Sequence, residues 1–180
     1  MNTKVKLHLG CFNKPIHGFT NVDIRPEVEP DLVDDVFKLE KIENNSVDLI
    51  VITHVMEHGG REEVKWALRR YHQVLKNGGE LYISVPDLQA VCEHYCYHKD
   101  LRLLENFLYG SQKHPWDFHR HGWDYKTLKE DLQSIGYTNI SKYDAFSVPW
   151  GYVDSYAKSY LPHLDFVNGK LMSLNIKCNK

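Results

Sequence analysis

One stretch near the start of the chain, residues 6–24, constrains the fold more than any other. It reads KLHLGCFNKPIHGFTNVDI: a short apolar strand, a glycine turn and a second strand that ends on an acid. In an open α/β sheet, a cofactor that carries adenosine binds at this kind of turn. Gly10 lets a ligand approach the backbone closely, and Asp23 can accept two hydrogen bonds from a ribose diol. About a dozen residues separate the strands, near the lower limit for a parallel crossover, so the helix between them is short or missing.

The composition is typical of one soluble domain. The 180 residues carry a net charge of −2, and a chain of this length buries roughly 70% of its unfolded surface in a single core. Duplex nucleic acid requires a larger basic field, and no apolar run reaches the roughly 18 residues of a membrane span. The sequence therefore predicts neither duplex binding nor membrane insertion. Four cysteines without paired spacing indicate reduced thiols in a cytoplasmic protein, with no export signal expected.

Strand and helix patterns alternate along the chain, which is typical of a parallel sheet covered on both faces. We expect one domain over residues 1–180, with a cofactor half at about 1–87 and substrate-side elements at about 88–170. The patterns predict strands near residues 32–36, 47–53, 80–85, 140–146 and 171–178, and helices over 61–76, 88–108 and 125–135. Asn77-Gly78-Gly79 and Gly136 are the expected stops of the first and third helices. The irregular stretch of about two dozen residues before the last strand is long enough to be functional.

Ten short motifs follow one another along nearly the whole chain. The first five are Leu9-Gly10-Cys11, Asn21-Val22-Asp23-Ile24, Thr53-His54-Val55-Met56-Glu57-His58, Val74-Leu75-Lys76-Asn77-Gly78-Gly79 and Ser84-Val85-Pro86-Asp87. The others are Tyr109-Gly110-Ser111-Gln112, Pro115-Trp116-Asp117-Phe118-His119, Trp123-Asp124, Tyr160-Leu161-Pro162-His163-Leu164-Asp165 and Leu171-Met172-Ser173-Leu174-Asn175. Together they resemble the motifs of class I S-adenosylmethionine-dependent methyltransferases. More narrowly, they resemble a small bacterial branch associated with surface polysaccharide (capsule or lipopolysaccharide) biosynthesis.

The resemblance implies a fold and a cofactor. The fold is a Rossmann-like, doubly wound α/β sheet of about seven mostly parallel strands, with an antiparallel C-terminal strand and a shortened or missing first helix. The cofactor is S-adenosylmethionine (SAM), with S-adenosylhomocysteine (SAH) as its product. The implied contacts are the backbone of Gly10 and Cys11 at the methionine end, Asp23 at the ribose, Asp35 at the adenine amino group, Val36 beside the ring, and Thr53 and His54 at the sulfonium. Asp35 has an alternative, purely structural role as a loop acid or helix cap.

The cofactor loop departs from the family pattern at one position. Relatives usually carry Gly-Cys-Gly, whereas this chain has Gly10-Cys11-Phe12. The Phe12 side chain either flanks the cofactor, packs beneath it, or narrows the pocket and weakens binding.

His54-Val55-Met56-Glu57-His58 also spells the H-x-x-E-H motif of a zinc protease, in which two histidines on one helix bind the metal. Here the motif directly follows a buried strand instead of lying within a helix. We therefore favour a supporting role for Glu57 and His58 near the start of the next helix, and assign no metal ligands from the sequence.

The acceptor side of the reaction is expected in the segment 114–123, which is dense in aromatic and titratable residues. A hydroxyl acceptor requires a base to remove its proton, whereas an anionic oxygen does not. His119, which matches the histidine of the family motif, is the candidate base. The candidate substrate contacts are Tyr109, Gln112, Arg120, His163 and Asp165.

The sequence thus predicts a SAM-dependent O-methyltransferase. Its expected acceptor is a small molecule, a sugar or a nucleotide-linked or phosphate-linked glycan precursor, and a homodimer is an open alternative to a monomer. Two other classes stay open: a catalytically silent, methyltransferase-like partner protein, and a zinc hydrolase that uses the H-x-x-E-H motif.

Overall fold

The computed structural model describes residues 4–150 and 155–180, and its main feature is a seven-stranded sheet with the order β3-β2-β1-β4-β5-β9-β6. All neighbouring strands in it pair in parallel except β9, which runs antiparallel to both β5 and β6. The described strands are β1 (Lys6–Leu9), β2 (Thr20–Asp23), β3 (Leu32–Val33), β4 (Val47–Thr53), β5 (Leu75–Pro86), β6 (Thr138–Lys142), β7 (Tyr160–Leu161), β8 (Lys170–Leu171) and β9 (Ser173–Asn179). The predicted mostly parallel sheet with an antiparallel C-terminal strand is confirmed.

Helices cover the sheet unevenly. The α-helices within residues 4–150 and 155–180 are α1 (Arg61–Val74), α2 (Leu88–His98), α3 (Glu105–Tyr109) and α4 (Tyr125–Ile135), and 3-10 turns lie at Pro26–Val28, Met56–His58 and Tyr156–Lys158. Residues 10–19, between β1 and β2, form turns without a helix. The predicted loss of the first helix is therefore confirmed, and Ile16 and Phe19 of this loop pack against Leu49 and Val51 of β4 in its place.

The main core lies between the other face of the sheet and helices α1 and α4. The buried residues of α1 recur at helical spacing, as the sequence predicts. They pack with buried residues of β1, β4, β5 and α4. Two buried tyrosines satisfy their hydroxyls on main-chain carbonyls: Tyr71 donates to Val36 at 2.9 Å, and Tyr137 donates to Leu68 at 3.0 Å. The first bond ties α1 to the loop after β3, and the second ties α1 to the segment between α4 and β6.

Two predicted helix boundaries are wrong. Helix α1 ends at Val74, because Leu75 is already extended (φ −63°, ψ 139°) and begins β5, so the glycine pair lies within the strand segment. The helix expected over residues 88–108 is two helices, since Lys99 ends α2 in the left-handed conformation (φ 56°). The stop at Gly136 is confirmed, with φ 111° at the end of α4. None of the helices in the described part of the chain has the length and apolar character needed to span a membrane.

Candidate active site

The carboxyl ends of β1, β2 and β4 lie side by side and form the edge at which parallel sheets bind ligands. The turn after β1 requires glycine for two reasons. Gly10 has φ 69°, and a Cβ at this position would lie 2.4 Å from Val55 Cγ2. The amides of Gly10 and Cys11 both donate to the Val22 carbonyl, at 2.8 and 3.2 Å. The turn is therefore held tightly between β2 and the residue that follows His54.

A substitution in this turn should be costly. We expect Gly10→Ala to lower the stability of the protein by about 2 to 4 kcal/mol, from backbone strain and overpacking together. The double variant Gly10→Ala/Val55→Ala removes the clash but keeps the strain, so its stability should lie above that of Gly10→Ala. Thermal unfolding of the three proteins measures this. Equal stability of Gly10→Ala and the native chain would contradict the close approach.

Asp23 ends β2 with a buried carboxylate that is already bound on both oxygens. Arg25 donates from Nε to Oδ1 at 3.0 Å and from Nη2 to Oδ2 at 3.2 Å, and the backbone amides of Phe12 and Arg25 add bonds of 2.9 and 3.0 Å. Burial raises the pKa of Asp23, but these donors outweigh it and the pKa is lowered. The side chain is an anion in the expected place, and a ribose diol can reach it only where Arg25 gives way.

Phe12 lies on the surface of this turn and does not fill it. Its φ is 45°, its side chain is 44% exposed, and the Arg25 guanidinium lies 4.7 Å from the centre of its ring. The ring of Phe12 lies against Arg25, and its placement relative to a bound cofactor stays a prediction. Phe12 thus supplies a cation–π contact that supports Arg25 beside Asp23.

The other predicted cofactor contacts take different positions along the same edge. Cys11 is buried, and burial raises its pKa to about 11, so it is a neutral thiol that can offer its backbone only. The Asp35 carboxylate accepts from the Phe37 amide at 3.0 Å and pairs with Lys38 at 2.9 Å, as in the plainer capping role. Val36 is 6% exposed and packs in the main core.

Thr53 and His54 have different partners at the end of β4. Thr53 lines a small cavity with His8, Tyr143 and Ser155. His54, which has φ 50°, places Nδ1 at 3.3 Å from Glu57 Oε1 and Nε2 at 2.9 Å from Ser173 Oγ. A non-glycine residue in this region of φ is uncommon, although histidine is among the types that adopt it more often.

The orientation of His54 follows from the side chains behind it. Asn175 Nδ2 donates to the Ala157 carbonyl, so its Oδ1 accepts the single hydroxyl proton of Ser173 at 3.0 Å. Ser173 Oγ can then only accept from His54, and His54 Nε2 is the donor. Nδ1 is left facing Glu57, and this contact is favourable when a proton lies between the two groups.

Glu57 is the buried centre of a histidine cluster. Its side chain is 1% exposed, and His54, His58 and His119 surround it. Burial raises the pKa of Glu57, but the three histidines outweigh burial and the pKa is lowered. Neither carboxylate oxygen accepts a well-formed hydrogen bond from a residue in the described ranges.

His119 reaches Glu57 from a segment far along the chain. Its Nδ1 donates to the Phe107 carbonyl at 3.0 Å, and its Nε2 lies 4.0 Å from Glu57 Oε1. The next residue, Arg120, donates its amide to the Glu57 carbonyl at 2.7 Å, and the His119 amide donates to Tyr109 at 3.1 Å. Burial lowers the pKa of His119, so its ring favours the neutral form with a lone pair on Nε2.

The cluster of Glu57, His58 and His119 was missed by sequence reasoning. The H-x-x-E-H motif was its signal, but residues 54–58 form the end of β4 and one 3-10 turn, so the motif does not present two histidines on one helical face as in a zinc protease. Glu57 and His58 instead join His119, 61 residues further along. A sequence pattern does not predict this contact, because main-chain hydrogen bonds from residues 119–121 bring His119 to Glu57.

The predicted substrate contacts fall into two groups. Tyr109 and Gln112 lie at and just after the end of α3, and Arg120 follows His119 directly. Gln112 Nε2 approaches the Tyr109 carbonyl at 3.4 Å. His163 and Asp165 lie in the turn between β7 and β8, where the Asp165 carboxylate accepts from the amides of residues 167 and 168 at 3.3 and 2.9 Å. The structure gives Asp165 a local capping role.

Comparisons with known proteins agree with this architecture. A family model described as a methyltransferase domain matches residues 17–83. A SAM-dependent methyltransferase from Archaeoglobus fulgidus is 15% identical with a TM-score of 0.62, covering 99% of this chain and 87% of its own. One from Methanosarcina mazei is 16% identical with a TM-score of 0.61, covering 100% and 94%. A third, from a Haloferax volcanii complex that contains a methyltransferase activator, is 14% identical with a TM-score of 0.59, covering 98% and 82%.

These likenesses establish the fold, and the domain match covers Asp23, Asp35, His54, Glu57 and His58. No curated protein matches the chain. None of the comparisons supports the narrower resemblance to a surface polysaccharide branch.

Proposed function

We propose that this chain, which has the class I SAM-dependent methyltransferase fold and domain with SAM as its cofactor, methylates an oxygen of a sugar or of a nucleotide-linked or phosphate-linked glycan precursor. The observation that carries the choice of oxygen is the buried group of Glu57 and His119, which adjoins His54 at the carboxyl end of β4. Methylation of a neutral hydroxyl needs a proton acceptor at that place.

The site has a cofactor side and an acceptor side, which are formed by different residues. SAM supplies an electrophilic methyl group on a sulfonium. Gly10 and Asp23 would hold the methionine and ribose ends, with Arg25 displaced from the carboxylate. His119 is the base in this proposal, because Nδ1 is fixed as a donor to Phe107 and only Nε2 is left to take the acceptor's proton. Glu57 would stabilise the protonated ring.

A sugar acceptor is supported by the exposed aromatic residues near the site. Tyr109 (50% exposed), Trp116 (56%) and Phe118 (42%) lie in or next to the segment that carries His119, and Tyr156 (55%) has its ring 5.8 Å from that of His54. Flat aromatic faces stack on sugars and on nucleobases. Arg120 offers a cation for a phosphate on a nucleotide-linked precursor.

The experiment for this proposal is a methyl-transfer screen with isotopically labelled SAM. Free sugars, sugar phosphates and nucleotide sugars are tested as acceptors, and the labelled product is analysed for the position of the methyl group. We expect transfer to a hydroxyl oxygen. Transfer to nitrogen or carbon, or to a carboxylate oxygen without a role for His119, would contradict the proposal.

A second candidate, a catalytically silent partner protein, is favoured by the contact between Arg25 and Asp23. The guanidinium covers both carboxylate oxygens that the ribose needs, and it is supported on Phe12. If this contact is permanent, the chain keeps the fold without binding the cofactor.

The variant Arg25→Ala distinguishes the two candidates. For an enzyme, we expect SAM to bind about 10- to 150-fold more tightly, since the ribose no longer displaces a charged hydrogen bond worth about 1.5 to 3 kcal/mol. The ligand-free variant should unfold at a lower temperature, because Asp23 loses its partner. Calorimetry and thermal unfolding give both values, with Arg69→Ala as the control at an exposed arginine of α1. No binding by either the native chain or Arg25→Ala would favour the silent partner.

A further inference from the structure

Three side chains of the histidine cluster present ligand atoms to one another. Glu57, His58 and His119 each offer one atom, and these atoms lie within 4.8 Å of one another. We propose that these residues bind a divalent transition-metal cation, such as Zn²⁺ or Mn²⁺, which holds the acceptor's oxygen beside the methyl donor. The role of the cation rests on the proposed function, whereas its binding does not.

The hydrogen bonds behind the two histidines fix the nitrogen that would bind the cation. His58 Nδ1 lies 3.3 Å from the Phe118 carbonyl, and His119 Nδ1 lies 3.0 Å from the Phe107 carbonyl. A carbonyl oxygen only accepts, so Nδ1 carries the hydrogen in both rings and Nε2 carries the lone pair. Metal-binding histidines commonly donate their other ring N–H to a carbonyl or carboxylate in this way.

Glu57 supplies the anion for the site. Both of its oxygens are buried without a well-formed hydrogen bond from the described residues, and a carboxylate buried in that state is costly. His119 Nε2 lies 4.0 Å from Oε1, so a lone pair faces a carboxylate oxygen. These two groups repel each other when nothing lies between them, and a cation attracts both.

The donor set indicates the class of cation. Imidazole nitrogens favour transition metals such as Zn²⁺, Fe²⁺ or Ni²⁺, whereas Mg²⁺ prefers oxygen and water. Neighbouring ligands of a metal with bonds of about 2.1 Å are separated by roughly 3 to 3.5 Å, so the cluster has to close by a small side-chain rotation. Three protein ligands leave at least one coordination position for the oxygen of an acceptor.

The position of the cluster relates the cation to methyl transfer. His54 contacts Glu57 at 3.3 Å and lies at the strand end where the sulfonium is expected. With a cation on Nε2, His119 is a ligand and no longer the base. The acceptor's O–H proton then passes to water as its oxygen forms the bond to the methyl carbon and the bond from that carbon to sulfur breaks.

Cysteine and histidine side chains on α2 also carry atoms that bind metals, and their contribution has to be separated from this site. Cys92, His94, Cys96 and His98 lie on α2, and the rings of His94 and His98 stack at 4.1 Å. The test therefore includes a variant at this helix.

The experiment titrates the chelator-treated, purified chain with ZnCl₂, MnCl₂ and MgCl₂ by calorimetry. We expect one equivalent of Zn²⁺ with a Kd of about 1 µM or tighter, weaker Mn²⁺ binding, and the weakest binding for Mg²⁺. His58→Ala and His119→Ala should each weaken Zn²⁺ binding at least about tenfold. His114→Ala, an exposed histidine of the same segment, should bind like the native chain. His58 is half-buried at the surface of the cluster, so its variant is expected to fold, and circular dichroism checks this.

Three results would overturn the inference: no Zn²⁺ or Mn²⁺ binding at millimolar metal, unchanged binding in the His58 and His119 variants, or loss of binding in His94→Ala instead. SAM is titrated in parallel with and without metal. SAM binding without metal binding would leave the proposed function standing and reject only the cation. Metal binding without SAM binding would support the cation site and reject the proposed function.

Discussion

Asp23→Ala is expected to weaken SAM binding by at least about 30-fold. The two ribose hydroxyls would lose their acceptor, and hydrogen bonds whose partners are left unpaired cost about 1 to 3 kcal/mol each, or about 2 to 6 kcal/mol together. Calorimetric titration with SAM and with SAH measures the change. Glu27→Gln, at an exposed acid of the same loop region, is the matched control and should bind like the native chain.

The same variant separates a loss of contact from a loss of structure. Asp23 also holds the Phe12 amide and the Arg25 side chain, so Asp23→Ala should lower the unfolding temperature of the ligand-free chain. Asp23→Asn keeps the size of the side chain and one acceptor, and its affinity should lie between those of the alanine variant and the native chain. Native affinity in a folded Asp23→Ala protein would show that the ribose binds elsewhere.

His119→Ala is expected to lower kcat by about 10² to 10⁴-fold, the usual contribution of a positioned general base. Its Nε2 is the only nitrogen of the ring left to act on the acceptor, and three main-chain hydrogen bonds hold the residue and its neighbours in place. The affinity for SAM should change by less than about threefold, since His119 serves the acceptor side. Steady-state kinetics on the acceptor identified by the screen, together with SAM titration, measure both.

His114→Ala is the control for this prediction, because it removes an exposed histidine from the same segment. A loss of activity equal in both variants would indicate a general effect on the segment. Full activity in His119→Ala would contradict its role, whether as the base or as a metal ligand. The metal titration then decides which of these two roles His119 has.

The sequence predicted the parts of the fold that depend on local patterns. The strand–turn–strand at residues 6–24 located Gly10 and Asp23 at one edge of the sheet, and the order of strands and helices gave the architecture. The helix boundaries at residues 74 and 99 were wrong, because Leu75 pairs with Val47 as a strand and Lys99 adopts a left-handed conformation. These outcomes depend on tertiary pairing and on single backbone angles, which apolar periodicity does not encode.

The site was predicted in part for a similar reason. Asp23 is a buried anion at the expected strand end. Its contact with Arg25 was not predicted, because it depends on the geometry of the turn and on the stacking of Arg25 on Phe12. Glu57 and His119 were each visible as chemistry-bearing residues. Their meeting depends on the fold of the segment between α3 and α4, which has little secondary structure and so leaves no periodic signal.

The decisive measurement for cofactor binding is a calorimetric titration of the native chain with SAM and SAH. We expect both to bind at one site per chain with micromolar Kd, although the ribose has to displace Arg25 from Asp23. Absence of binding for both at millimolar ligand would contradict the enzyme proposal and favour the silent partner.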